Sequence, residues 1–290
     1  MRLKYILIVL VLILASSTIA HGKIAFIYSR GNNWELWSID PDGRDLKQLT
    51  KTIEDERWPS FSQDGKRIVF GNNRGDFWII NTEGGNLEKI KLKPGNYARP
   101  VWAPDNSRII YTSIISVVPE DSNVWEIPIE KDRFLEEREF IFEKGLENFI
   151  TFSKDGNKLI YSLFMPPRAR VLKQDLMLFD INEKSFKKLF SDGYDNSQSV
   201  WLPDSSKIVY VSNKSGSYQI WGMNIDGSDS KQLTKTLGYN GNPCCSPDGK
   251  EIAFVSSRTG SEQLWIMDID GSNQRQITFL PGEAKDPVWK

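Results

Sequence analysis

Few side chains in this sequence have the chemistry to catalyse a reaction. Its one histidine, His21, ends an apolar N-terminal segment, so no Ser-His-Asp or Cys-His arrangement can be assembled, and a histidine-based zinc or iron site is excluded. The nucleophile-elbow pattern G-x-S-x-G and the phosphate-cradling pattern G-x-x-x-x-G-K-[ST] are both absent. The two cysteines, Cys244 and Cys245, are adjacent. Neighbouring Cα atoms lie about 3.8 Å apart, short of the roughly 4.4 to 6.8 Å that a disulfide spans, so neither a staple nor a redox pair is expected. Carboxylates remain, as acid-base pairs or calcium ligands. The groups Asp40-Pro41-Asp42-Gly43 and Asp268-Ile269-Asp270-Gly271 invite the calcium reading, but their glycine comes too early for an EF-hand loop. Both groups fall at one place in a repeat, which makes them hairpin turns. No cofactor and no metal are expected.

Basic and acidic residues number 37 and 38 and are mixed along the chain, so there is no electrostatic footprint for nucleic acid or an anionic membrane. The start of the chain is different. Met1-Arg2-Leu3-Lys4 is basic, Tyr5 to Ala15 is apolar, and the small and polar Ser16 to Ala20 follow. That order reads as a secretory signal peptide over residues 1–20, the apolar run being shorter than the roughly 20 residues of a membrane span. The rest, 21–290, is expected to be one domain, exported to the periplasm or the medium, not membrane-spanning, and monomeric.

The elements that would position any site are set by a repeat. "PSFSQDGKRIVF" from Pro59, "PVWAPDNSRIIY" from Pro100, "ITFSKDGNKLIY" from Ile150, "SVWLPDSSKIVY" from Ser199 and "PCCSPDGKEIAF" from Pro243 recur at intervals of about 41 to 50 residues, the period of a four-stranded propeller blade. In each unit a strand ending in an aromatic meets a tight turn, and a second strand of β-branched and aromatic residues follows. A third strand then carries Trp37, Trp78, Trp125, Met177, Trp221 or Trp265 at a fixed place, and a second turn leads to a fourth strand such as "KQLT". The strands are apolar on both faces, as sheets packed between neighbours must be. The segment Lys131 to Glu147 is the nearest to a helix by charge content, yet its "REFIFE" aligns with a fourth strand. Gly22 to Thr50 supplies strands two to four of a sixth unit, and the terminal "DPVWK" supplies the missing first strand. The predicted fold is all-β: a six-bladed β-propeller of four-stranded antiparallel blades, its ring closed by the C-terminal strand joining the N-terminal blade.

The unit P-x-W-S-P-D-G-K-x-I-A-F followed by L-W-x-M-D-x-D-G-S and Q-L-T resembles the WD-like repeat of TolB-type β-propellers. The cleanest copies are Pro243 to Thr278 and Gly22 to Thr50. Two positions depart from it, Met177 in place of Trp and Cys245 in place of an aromatic. Related repeats form the propellers of prolyl oligopeptidase and dipeptidyl-peptidase-like proteins. Resemblance to periplasmic TolB proteins implies a non-catalytic module that binds a protein or peptide partner in the cell envelope, such as an envelope lipoprotein. Those members carry an α/β domain before the propeller, whereas here the repeat pattern starts directly after the apolar segment.

In a propeller, the links between blades and the loops between second and third strands surround the mouth of the central channel. The residues expected just before each first strand, Trp58, Arg99, Phe149, Gln198, Asn242 and Asp286, therefore form a ring whose mixture of aromatic, amide and charged groups suits a protein or peptide. Two loops between second and third strands, Thr112 to Asn123 and Ser162 to Gln174, are enlarged, and the second adds Phe164, Met165, Arg168 and Arg170 as candidate binding residues. The alternative is a propeller enzyme, a polysaccharide lyase or hydrolase using the channel carboxylates Glu56, Glu147 and Asp286. A further alternative is an accessory propeller serving a separate peptidase chain.

Overall fold

Six sheets of antiparallel strands stand in a ring, five built from strands that follow one another in the chain and one that joins the last strand of the chain to the first three. The computed structural model describes residues 22–31, 33–93, 96–114, 122–130, 133–141, 146–164 and 173–290. The apolar segment 1–20 and His21 lie outside them, and no helix among the described residues is long and apolar enough to cross a membrane. Blade 1 contains β1 (Ile24–Ser29), β2 (Trp34–Ile39) and β3 (Lys47–Gln48). Blade 2 contains β4 (Glu56–Phe61), β5 (Arg67–Asn72), β6 (Phe77–Asn81) and β7 (Glu88–Ile90). Blade 3 runs through β8 (Asn96–Trp102), β9 (Arg108–Ile114), β10 (Ser122–Glu130), β11 (Arg133–Phe134) and β12 (Arg138–Ile141). Blade 4 has β13 (Leu146–Phe152), β14 (Lys158–Phe164), β15 (Gln174–Asp180) and β16 (Ser185–Phe190). Blade 5 has β17 (Asn196–Trp201), β18 (Lys207–Ser212), β19 (Gln219–Asn224) and β20 (Lys231–Gln232). Blade 6 has β21 (Asn240–Cys245), β22 (Glu251–Ser256), β23 (Gln263–Asp268) and β24 (Arg275–Gln276), and β25 (Glu283–Trp289) returns to pair with β1. Arg138–Ile141 pairs with β10 as the fourth strand that its pattern predicts, while β11 is a small addition outside the four-strand plan.

Apolar residues on both strand faces have a direct use, because the buried side chains gather into clusters at the blade interfaces. Ile24, Phe26 and Trp289 of blade 1 pack with Val255, Leu264 and Ile266 of blade 6, and Ile27 and Leu36 of blade 1 pack with Ile68 and Phe70 of blade 2. The same holds around the ring. The aromatic closing each second-strand motif is the anchor. Phe26, Phe70, Tyr111, Tyr161, Tyr210 and Phe254 are among the largest fully buried side chains, and each stands directly across from the large third-strand residue Trp37, Trp78, Trp125, Met177, Trp221 or Trp265. Met177 is an unbranched apolar substitute that fills the same space.

Both kinds of turn use their carboxylates locally. Gly43 and Gly271 adopt positive φ (84° and 90°) in hairpins closed by Gly43 N–H to Asp40 O and Gly271 N–H to Asp268 O, both 2.9 Å. Asp42 and Asp270 accept the backbone N–H two residues on. The D-x-D-G groups are thus turn devices. The Q-L-T ending also has a structural task. Thr50, Thr234 and Thr278 accept the backbone N–H of Leu36, Ile220 and Leu264 at 2.8–2.9 Å, tying fourth strand to third.

In blade 1 that tie includes an acid. Glu56, almost fully buried, accepts Leu36 N–H at 2.7 Å and the Thr50 hydroxyl, while Thr50 also lies 3.0 Å from Glu35. Burial pushes the Glu56 carboxyl up to about 7 against these hydrogen bonds, and Glu35 nearby adds to the push. The equivalent positions of blades 5 and 6 hold Asn196 and Asn240, which are neutral.

Two outcomes follow. Because the folded pKa of Glu56 lies above its unfolded value, its contribution to stability is full below about pH 4.5 and is lost as pH rises through about 7. Glu56→Gln should therefore stabilise the protein at pH 8 by on the order of 1 to 3 kcal/mol and flatten the fall between pH 5 and 8 in urea titrations; an unchanged pH slope contradicts the assignment. Closure is tested separately. Trp289 is buried in the cluster between blades 1 and 6, and Lys23 and Lys290 exchange backbone hydrogen bonds of 2.6 and 3.0 Å. Deleting Pro287 to Lys290 should cost roughly 3 kcal/mol or more and lower the melting midpoint, an effect that Trp289→Phe should largely avoid.

Candidate functional site

The first strand of every blade carries the same irregularity. Pairing between first and second strands slips once, at Trp58-Pro59 in β4, Arg99-Pro100 in β8, Phe149-Ile150 in β13, Gln198-Ser199 in β17, Asn242-Pro243 in β21 and Asp286-Pro287 in β25. Two residues there oppose one, a β-bulge. The single residue opposite is in each case the buried aromatic described above, Phe70, Tyr111, Tyr161, Tyr210, Phe254 or Phe26. The first residue of every bulge is left-handed: φ is 54° at Trp58, 56° at Arg99, 53° at Phe149, 52° at Gln198, 48° at Asn242 and 49° at Asp286. A side chain in that region costs about 1 to 2 kcal/mol, and here all six turn toward the axis. Proline is tolerated at the next position because the ladder is broken there and asks for no N–H.

The six residues together line a cavity of about 240 Å³ at the axis. They were expected just before the first strands; the structure places them inside those strands, at the bulge. The proline that reads as a strand start in the sequence is the second bulge residue. Of the three carboxylates expected at the channel, Asp286 alone lines this cavity. Glu56 is turned into the Thr50 tie of blade 1, and Glu147 occupies the equivalent buried position of blade 4, so neither lines this cavity. Phe164 ends β14, half-buried, and Met165, Arg168 and Arg170 lie outside the described residues.

The ring divides into two halves. On one side the Arg99 guanidinium lies 3.7 Å above the Phe149 ring centre and 5.2 Å from that of Trp58. On the other, the Asn242 amide donates to Asp286 at 2.8 Å, Asn242 N–H donates to the Gln198 side chain at 2.6 Å, and Gln198 donates to the Tyr239 hydroxyl at 3.2 Å. Tyr239 reaches the ring because residue 241 is glycine; a Cβ there would strike its hydroxyl. This tyrosine is a member that the repeat alignment misses, since it precedes the strand and has no counterpart in the neighbouring units. Burial raises the Asp286 carboxyl above its usual range, opposed by Arg99 and by a hydrogen bond from Trp58 N–H. Burial likewise pulls the Arg99 guanidinium down to about 10, leaving it cationic at neutral pH.

A second cavity of about 300 Å³ lies further along the first strands, where Phe61, Trp102, Phe152, Trp201 and Trp289 converge with Cys245. Burial pushes the Cys245 thiol up to about 12 and that of Cys244 well above its ordinary value. Neither is a nucleophile at neutral pH, and both are free thiols.

The links between blades are exposed around the mouth of the first cavity. First strands start from these links, so the ring, third or fourth in each strand, lies toward the link face and the aromatic cavity toward the opposite one. Ile53, Leu237 and Phe279, all on links, are 87%, 91% and 79% exposed, the most exposed large apolar side chains among the described residues; Tyr194, on a fourth link, is also exposed.

Comparison with known proteins agrees with this architecture. The chain is 27% identical over 167 residues to the uncharacterized peptidase YuxL of Bacillus subtilis, covering 56% of this chain and 22% of that protein. It is 23% identical over 147 residues to the Tol-Pal system protein TolB of Nitratidesulfovibrio vulgaris, covering 49% and 31%. The match thus spans less than a third of the length of either. The crystal structure of TolB from Acinetobacter baumannii has the same fold, with a TM-score of 0.78 over 92% of this chain and 66% of that chain at 21% identity. The model for the tricorn protease N-terminal β-propeller domain matches residues 12–240. With most of its length under that match, the chain belongs to the family of the tricorn protease N-terminal β-propeller domain.

Proposed function

We propose that this chain is an exported, non-catalytic propeller that docks a protein or peptide partner in the cell envelope on its link face, over the mouth of the channel. The observation that carries this reading is the position of the exposed apolar side chains: Ile53, Leu237 and Phe279 all belong to the links that surround the cavity lined by the ring. Exposed apolar residues grouped around a concave centre are the makings of a protein interface. The likeness to TolB supports a binding role, and the basic-then-apolar N-terminus supports export. The enlarged loops 112–123 and 162–174 leave their second strands, β9 and β14, on the same face, and residues 115–121 and 165–172 within them lie outside the described residues. A closed ring holds all these groups in place before binding, so little ordering entropy is lost when the partner arrives.

A photo-crosslinking residue placed at Leu237 or Phe279 should trap the partner in cells. The same residue at Leu46 or Leu87, exposed on hairpins of the opposite face, should not. Equal adducts from both faces, or adducts from the hairpin positions alone, contradict the docking face.

A further inference from the structure

Arg99 is the one charged ring residue that no other ring residue pairs. Its guanidinium is stacked on Phe149 and close to Trp58, yet it makes no hydrogen bond and no ion pair among the described residues. Asp286, the carboxylate of the same cavity, is engaged by Asn242 at 2.8 Å and by Trp58 N–H. A guanidinium offers five N–H donors in a planar fork, and those of this half-buried residue are left facing the cavity that it lines. Here two aromatic faces and a left-handed backbone hold that charge in place without pairing it.

The geometry points to the channel mouth as a seat for a carboxylate of the docked partner, received by the fork of Arg99 with Gln198 and Asn242 as flanking amides. This rests on the docking reading above and names the group that the channel takes from the partner. The chemistry is selective. Asp286, across Trp58 from Arg99, repels a compact, multiply charged anion such as phosphate but accepts N–H groups, so a carboxylate attached to peptide matches the ring at both ends. The amides of Gln198 and Asn242 each have a second N–H beyond the one already used. A carboxylate there forms a charge-assisted pair in a partly enclosed site, which strengthens it over the same pair in open water.

The seat can be tested on the full chain by calorimetric titration with triglycine, triglycine amide, N-acetyl-Gly-Glu-Gly amide and inorganic phosphate. Binding of triglycine or of the glutamyl peptide, with neither the amide nor phosphate binding, is the expected result; which of the two binds distinguishes a chain terminus from an acidic side chain. Arg99→Gln should weaken that binding by about tenfold or more, and Arg99→Lys, which keeps the charge without the fork, should lie between. The inference is overturned if wild type binds neither carboxylate peptide, binds the amide equally well, or binds as tightly after Arg99→Gln. Crosslinking at Leu237 separates the two ideas: adducts that persist in Arg99→Gln while every peptide titration is silent leave the docking face standing and remove the carboxylate seat.

Discussion

One buried aromatic ring per blade organises the whole molecule. Phe26, Phe70, Tyr111, Tyr161, Tyr210 and Phe254 each lie between the large residue of the third strand and the bulge of the first. Outward, that contact fixes the register of second and third strands, because slipping by one residue would turn every side chain to the wrong blade interface. Inward, it faces the point where two first-strand residues oppose one. The inner strand must bend there, and the bend aims one side chain at the axis. Interface packing and channel lining are consequences of the same contact.

Strain repeated six times around a ring belongs to the architecture. The left-handed backbone at Trp58, Arg99 and Phe149 is therefore no sign of activity by itself, although bulky side chains rarely adopt it. What is particular to this chain is the choice of side chains at the six places. Aromatic, cation, aromatic, amide, amide and acid follow one another, so that neighbours in the ring stack on one side and hydrogen-bond on the other. The fold supplies six aimed positions, and sequence decides what is aimed.

Most of this architecture could be read from the sequence because a repeat exposes each rule several times. The second-strand aromatics, the third-strand tryptophans and Gly43 and Gly271 in their turns recur with constant spacing, and "DPVWK" is legible as a first strand only against the complete copies. The ring was legible as a set of six aligned residues. Its placement was not, because Pro59, Pro100, Pro243 and Pro287 look like strand starts when the ladder that they interrupt is not visible. Glu56 and Glu147 look like channel residues in the sequence for a related reason: two residues before the bulge, strand alternation alone does not reveal which side of the kink faces the axis. Tyr239 and the Arg99 stack arise from contacts across blades, which no single unit can show.

Closure of the ring by β25 has a kinetic meaning. Ile24 pairs with Trp289, a contact across nearly the whole described chain, and pairings of such separation form late because loop-closure entropy must be overcome first. The same strand brings Asp286 to the axis. Until it docks, β1 is an open edge and the channel lacks its acid, so a partner that reads all six positions reads at the same time whether the propeller has finished folding.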